Sequence, residues 1–297
     1  MFDAILAYEA PIRLAAFLGV LAAMALWELA APRRRMDIPR LLRWSNNLAL
    51  VVIDSILVRL AFPVLAVGVA VIAGERGWGL LNAIALPGWL AGIIAFVALD
   101  LAIYLQHVLF HAVPALWRLH RMHHADLEFD TTTGVRFHPV EILLSMGLKL
   151  GVVAALGAPA LAVLIFEVLL NATALFNHAN IDLPRRIDAT LRLFVVTPDM
   201  HRVHHSIHPS ETNSNFGFNL PWWDRLLGTY RAQPRDGHEG MTIGITAFRT
   251  RRELWLDRML LQPFRSDTGG YPLPHRVRDP DGRLSQKLQP PEKPDLE

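Results

Sequence analysis

Long runs of apolar residues constrain this chain more than any other feature. About 18 or more consecutive nonpolar residues suffice to cross the hydrocarbon of a bilayer as a helix. Such runs occur at residues 11–31, 48–73 and 89–110. From 140 to 176 the chain is almost continuously apolar, and Gly157-Ala158-Pro159 interrupts it midway, which predicts a tight hairpin of two spans. The expectation is an all-α membrane protein with about four to five transmembrane helices, the fourth being short. Composition agrees, because 52% of the 297 residues are hydrophobic and only 19% charged, whereas soluble domains carry about a quarter charged residues. The 11–31 run exceeds a signal-peptide core and reads as a retained span.

Loop charge predicts orientation, since Lys and Arg accumulate on the cytoplasmic side. Arg33, Arg34, Arg35, Arg40 and Arg43 lie between the first two runs, while the loop after the second offers only Arg76. The first loop is then cytoplasmic. Counting forward puts residues 112–136 and everything after Ala179 on that same side, as a helical cap over the ends of the spans. Residues 1–264 read as one integral-membrane domain. Residues 265–297 hold Pro272, Pro274, Pro280, Pro290, Pro291 and Pro294 among charges and read as a disordered tail. A net charge of +2 supplies no polycationic surface for nucleic acid.

The second constraint is histidine. The chain has 13 of them and no cysteine, and eleven fall between His107 and His208. Lack of cysteine excludes disulfides, thiolate nucleophiles and cysteine-ligated metal clusters. Four groups stand out: His107-Val-Leu-Phe-His111, His120-Arg-Met-His123-His124, the single His178, and His201-Arg-Val-His204-His205. Residues at i, i+3 and i+4 share a helix face with β-carbons about 5–6 Å apart, so on helices these spacings aim imidazoles at a common spot. Chance would yield roughly 0.03 copies of His-x-x-His-His in this length; two are present. Every one of these groups falls on the side that loop charge makes cytoplasmic. Nine imidazoles exceed what one ion takes, since a structural zinc uses four protein ligands and a catalytic zinc three. Two neighbouring metals absorb them. Imidazole suits iron, zinc, copper and nickel alike.

Residues 100–230 resemble the sterol desaturase/fatty acid hydroxylase superfamily of membrane di-iron oxygenases, bacterial sterol-desaturase-like members in particular. The likeness rests on the histidine boxes, on Arg136-Phe-His-Pro-Val-Glu141, on Thr197-Pro-Asp-Met-His201 and on Asn213-Ser-Asn-Phe-Gly-Phe-Asn-Leu-Pro-Trp-Trp-Asp224. It implies two iron ions held by His107, His111, His120, His123, His124, His178, His201, His204 and His205. Also implied are O2 as co-substrate, a lipid substrate from the bilayer (sterol, hopanoid, fatty acyl chain or carotenoid), hydroxylation or desaturation of an unactivated C–H bond, and a bacterial inner membrane. No Gly-x-Gly-x-x-Gly fingerprint or haem segment accompanies the boxes, so electrons come from a separate donor protein. Two positions depart from relatives. Ala174 stands where some have a further histidine, and Ala112 stands where alkylglycerol monooxygenase-like members have Glu.

Ligating imidazoles usually donate their second N–H to a carboxylate or carbonyl, which makes Asp100, Asp126 and Asp199 candidates for that task. His138 is a candidate tenth ligand, with a supporting role favoured. Asp54, Arg59 and Glu167 pair inside the bundle or line a cavity. Trp222 and Trp223 are expected at the membrane interface. His208, His238 and His275 read as ordinary structural histidines. Two readings of other classes stay open: a zinc-dependent membrane hydrolase, active without O2 or reductant, and a non-enzymatic metal-binding membrane protein, which would spread its ligands along a path across the bilayer.

Overall fold

The computed structural model describes residues 2–266 and 271–272, with side chains from residue 5 onward. In chain order its principal helices are α1 (Phe2–Ala7), α2 (Glu9–Ala30), α3 (Arg40–Ala61), α4 (Ala66–Arg76), α5 (Gly88–Ala112), α6 (Pro114–His124), α7 (Pro139–Leu156), α8 (Ala160–Asn177), α9 (Arg185–Leu191) and α10 (Pro198–His204). Shorter helical turns follow. The described residues contain no sheet, only the isolated bridges Pro32–Ile181 and Ser206–Ile243. Five helical stretches are long and apolar enough to cross a membrane: α2, α3 with its continuation to Asn82, α5, α7 and α8. This is an integral membrane protein.

The hairpin forms where the glycine and proline predict it. Gly157 takes φ +63 and donates its N–H to Val153 O, ending α7, and Pro159 opens α8. At 18 residues each, both helices are about 27 Å long, so the fourth span is no shorter than the fifth. The second span differs from the single run expected at 48–73. Its helix begins eight residues earlier, at Arg40, and stops at Ala61, just before Pro63, which has no N–H to continue a helix. Alone α3 reaches about 33 Å. The remainder of the run turns into α4, whose buried Ala66, Val67 and Ala70 join Leu99, Val153, Val163 and Phe166 in the main core. The early start escaped the apolar count because the first turns of α3 are polar, with buried Arg43 and Asn47.

Those polar residues tie the spans to the cap. Arg43 forms a two-pronged pair with Asp126 at 2.8 and 2.9 Å, pairs with Asp130, and donates to Thr133 Oγ1, all fully buried. Asn47 donates to Thr132 Oγ1 and accepts from Arg136. Glu28, at the end of α2, accepts from the backbone N–H of both Thr131 and Asn180 through one oxygen. A 3-10 turn at Thr131–Val135 is thereby wedged between α2, α3 and α8. The end of α2, the start of α3, the end of α5, the start of α7 and the end of α8 all meet at this one end of the bundle, where every histidine box lies.

Of the proposed tail, Arg265 pairs with Glu253, and Tyr271 is buried with its ring stacked 5.7 Å from that of Trp117. Residues 267–270 and 273–297, His275 included, lie outside the described residues.

Candidate metal centre

Proline starts each box-bearing helix of the cap. Pro114 opens α6 directly after α5, and Pro198 opens α10, whose first turn is capped by Thr197 Oγ1 accepting from Met200 N. The nine histidines of the four groups are all buried and fall into two sets. His107, His111, His120, His124 and His204 form one; His123, His178, His201 and His205 form the other. Within each set the ligand atoms lie within 4.8 Å of one another. The sets adjoin, with the rings of His124 and His205 stacked at 4.6 Å.

Helix geometry explains the split. Consecutive residues diverge by about 100° around a helix, so the adjacent His123 and His124 cannot face one point. The box on α6 therefore sends His120 and His124 to the first set and His123 to the second. The box on α10 does the reverse, sending His201 and His205 to the second and His204 to the first. A single convergence point per box, as spacing alone suggested, is replaced by an exchange of ligands between two sites.

The ring nitrogens carry the chemical signal. His107 Nδ1 and His204 Nδ1 each lie 2.7 Å from a backbone carbonyl, Phe216 O and Ser214 O. Both Nδ1 atoms must then be protonated donors, which leaves both Nε2 atoms as bare lone pairs. Those two lone pairs face each other at 3.1 Å, and His107 Nε2 also faces His120 Nε2 at 3.1 Å. In the second set His178 donates through Nδ1 to Ala174 O at 2.8 Å, and its bare Nε2 lies 3.1 Å from His201 Nε2 and 3.3 Å from His123 Nε2. Two nitrogens on one metal at about 2.1 Å sit roughly 3.0–3.4 Å apart for angles of 90–110°. Both nitrogens of His124 and of His205, and Nε2 of His111, are buried without a hydrogen-bond partner. Buried polar atoms are rarely left so, and a cation in each set would satisfy them. Burial holds His120 and His178 down to about 3. Burial and neighbouring imidazoles hold His123, His124, His201, His204 and His205 far below the usual histidine range. Neutral imidazole is the form that ligates metal.

The groups that orient the rings are not the aspartates expected. Asp100 accepts from Trp223 Nε1 at 2.8 Å and from Leu220 N. Asp126 belongs to Arg43, and although burial pushes it up, Arg43 and Arg136 hold its carboxyl at about 2. Asp199 pairs with Arg202 and Arg33. The carboxylate on a ring is Glu141, whose Oε1 receives His120 Nδ1–H at 2.7 Å. His111 Nδ1 meets Asn213 Oδ1 at 3.1 Å, and Asn213 is anchored by donating to Tyr271 O. The loop from Asn213 to Gly217 thus supplies three of the acceptors. Asp224 holds it by accepting from Phe216 N and Gly217 N. Glu141 and this loop stood in the recognised motifs, but nothing in a sequence marks which carbonyl will face a ring.

His138 stays outside both sets. It caps α7 by accepting from Val140 N through Nδ1, and its Nε2 donates to Leu260 O at 3.3 Å. His208 pairs with Asp236, and the buried His238 lies 3.6 Å from Asp199. Trp222 is partly exposed and donates to Leu193 O, whereas Trp223 is tied to Asp100. Glu167 pairs inside the bundle with Arg13 and Lys149, while Asp54 and Arg59 line a cavity. That cavity, of about 550 Å³, is bounded by α2, α3, α5, α7 and α8 and reaches His107, His120 and Glu141.

Comparison with known proteins follows the same boundaries. An ornithine lipid hydroxylase of Rhizobium tropici is 34% identical over 154 residues, covering 52% of this chain and 45% of that protein. Zebrafish alkylglycerol monooxygenase is 27% identical over 172 residues, 58% of this chain and 36% of its own length. Rat cholesterol 25-hydroxylase is 29% identical over 143 residues, 48% of this chain and 47% of its own. The matches thus span less than half the length of these curated relatives. No solved structure matches. The family profile described as fatty acid hydroxylase matches residues 92–229, a segment holding all nine clustered histidines, Glu141 and the Asn213–Gly217 loop. Over those residues, just under half of the chain, this protein is similar to the fatty acid hydroxylase family.

Proposed function

We propose that this chain is a membrane-embedded di-iron oxygenase that hydroxylates a C–H bond of a lipid. The observation that carries the reading is the pair of adjoining buried imidazole sets, with bare Nε2 atoms facing each other, beside a cavity inside the bundle that reaches His107 and His120 of the first set. One iron ion would be held by His107, His111, His120, His124 and His204, the other by His123, His178, His201 and His205. Bound there, the iron pair supplies the activation of O2, with two electrons and two protons reducing one oxygen atom to water while the other enters the substrate. The chain's own part is positional. Phe216 O, Ser214 O, Ala174 O, Asn213 and Glu141 fix the ring tautomers, and the bundle keeps bulk water from the reacting carbon. Hydroxylation is favoured over desaturation because the relatives named above are hydroxylases and monooxygenases.

Arg33, Arg34, Arg35 and Arg40 lie at the histidine end of the bundle, which supports a cytoplasmic centre in a bacterial inner membrane. A cytoplasmic site accords with electrons arriving from a separate donor protein. The test is metal analysis of untagged protein purified from membranes, with O2 uptake on reduction and mass spectrometry of lipid extracts under 18O2. Near two irons per chain and a lipid heavier by one labelled oxygen are expected. Zinc alone, with no O2 uptake, would overturn the proposal in favour of hydrolytic chemistry.

A further inference from the structure

Asp100 is the central residue of α5 (Gly88–Ala112), about 18 Å from either end of that span. A carboxyl at such depth is costly unless it is partnered, and its partners come from the cap: Trp223 Nε1 donates to Oδ2 at 2.8 Å and Leu220 N at 3.3 Å. The same segment is held by α8, where Asn177 donates to Phe218 O and Thr173 to Asn219. Residues 218–223 therefore leave the cap and descend beside α5 and α8, reaching about 10 Å past His107 toward the far end of the bundle. There they present hydrocarbon outward. Trp222, Leu226 and Leu227 are exposed, Leu226 by 73%. Trp222 Nε1 donates to Leu193 O at 2.8 Å, joining this segment to the turn after α9, where Leu193 is exposed and Phe194 is 63% exposed. The charges of both turns are engaged by protein. Asp224 is buried and accepts from Phe216 N and Gly217 N, Arg192 pairs with Asp188, and Arg225 donates to Arg192 O with its guanidinium 4.2 Å from the Tyr230 ring. Arg185 and Arg186, exposed at the start of α9, have stems long enough to reach lipid head groups.

We infer that these two turns, residues 193–194 and 222–227, are immersed in the leaflet on the histidine side, with phospholipid acyl chains as their partner. Depth is the first ground. The hydrocarbon of a bilayer is about 30 Å thick, so the midpoint of a 25-residue span lies within it, and the segment is tied to that midpoint. The backbone is the second. Non-helical chain is tolerated at membrane depth only where protein satisfies its polar groups. Here Leu193 N donates to Thr190 O, Phe194 N to Leu191 O, Val196 N to Asn219 O, Leu220 N to Asp100 and Leu227 N to Trp223 O. The third ground is continuity. Leu169, exposed on α8 one turn before Thr173, belongs to the surface that α8 shows to lipid, and the two turns extend it. A water-soluble partner would have to enter the hydrocarbon to cover them. Asp100 is then an anchor for the cap, and Asp224 fixes the loop that orients His107, His111 and His204 to an element seated in the leaflet. The inference is independent of which metal the histidines hold.

The chain has no cysteine, so single-cysteine variants accept a nitroxide label without background. The full chain is placed in nanodiscs of phosphatidylglycerol and phosphatidylcholine, labelled at Phe194→Cys or Leu226→Cys. Leu169→Cys on α8 is the lipid reference, and Arg235→Cys, 63% exposed on the cap, is the water reference. Electron paramagnetic resonance then reads collisions with O2, which concentrates in hydrocarbon, and with chromium oxalate, which stays in water. The O2-to-chromium ratio at Phe194→Cys and Leu226→Cys should exceed that at Arg235→Cys several-fold and approach that at Leu169→Cys. A ratio at both sites equal to that of Arg235→Cys would put the turns in water and overturn the inference. Labels shielded from both reagents would mean a protein cover and overturn it as well. That cover is a second copy if spin–spin broadening disappears on dilution with unlabelled chain, and another protein if it does not. Should either variant not be recovered from membranes, Leu193→Cys and Leu227→Cys make the same comparison.

Discussion

Gly134 offers the sharpest test of how the second histidine set is built. It lies in the 3-10 turn wedged between α2, α3 and α8, and a β-carbon there would sit 2.4 Å from Ala174 O and 3.0 Å from His178 Nδ1. An ordinary carbon–oxygen contact is about 3.3 Å or longer, so Gly134→Ala requires a shift of about 0.9 Å. The turn cannot supply it readily, because Thr131 is held by Glu28 through its N–H and by Leu175 O through its hydroxyl. The shift therefore falls on Ala174 O near the end of α8, and it carries along His178, whose Nδ1–H is anchored to that carbonyl. Displacements of this size exceed the tolerance of a metal–nitrogen bond of about 2.1 Å, and overpacking of this kind costs about 1–3 kcal/mol. The expected result is a melting temperature lower by a few degrees and metal content falling from near two to near one ion per chain, measured by plasma mass spectrometry. Gly151→Ala is the control, since its β-carbon would meet nothing within 4 Å. Full metal content and unchanged melting in Gly134→Ala would refute the placement of His178.

Three further outcomes follow from the same geometry. Glu141→Gln removes the carboxylate on His120 and should weaken metal binding at the first set by about 10- to 100-fold, read by chelator competition, while an unchanged affinity would show that His120 needs no such partner. His138→Ala should cost about 0.5–2 kcal/mol through the lost cap of α7 yet leave metal content intact, in contrast with His204→Ala; loss of a metal ion would make His138 a ligand. His238 gives a pH dependence: burial lowers it from 6.5 to about 4, so below pH 6.5 the unfolded chain takes up a proton that the folded chain refuses. Stability contributed there is full above pH 6.5 and is lost as pH falls toward 4. His238→Gln should flatten that part of the melting-temperature profile, and a profile identical to the parent's would disprove the assignment.

Spans and boxes were legible in the sequence because each is a local pattern. Apolar run length marks a membrane helix, and i, i+3, i+4 spacing marks a helix face. The break at Pro63 was legible in principle, but the hydrophobic run passes straight through it. What stayed hidden depends on residues far apart in the chain. Glu141 reaches His120 from a separate helix, Asp100 meets Trp223 and Asp126 meets Arg43, while Asp199 is taken up by Arg33 as well as by Arg202 three residues along. Backbone carbonyls from Ser214, Phe216 and Ala174 orient three rings, and every residue has such a carbonyl. Arg43 was read as a topology signal, yet it is a fully buried clamp on the turn after α6.

The exchange of ligands between the boxes on α6 and α10 has a consequence for biosynthesis. Each set needs histidines from both boxes, so neither is complete while residues 201–205 are still inside the ribosome. By then all five spans have been made, and the imidazoles of α5 and α6 have waited unligated for about 80 residues of synthesis. With the proposed ligand sets, metal capture would be a late event that follows membrane insertion. A chain arrested before the last box would have all five spans and neither histidine set complete.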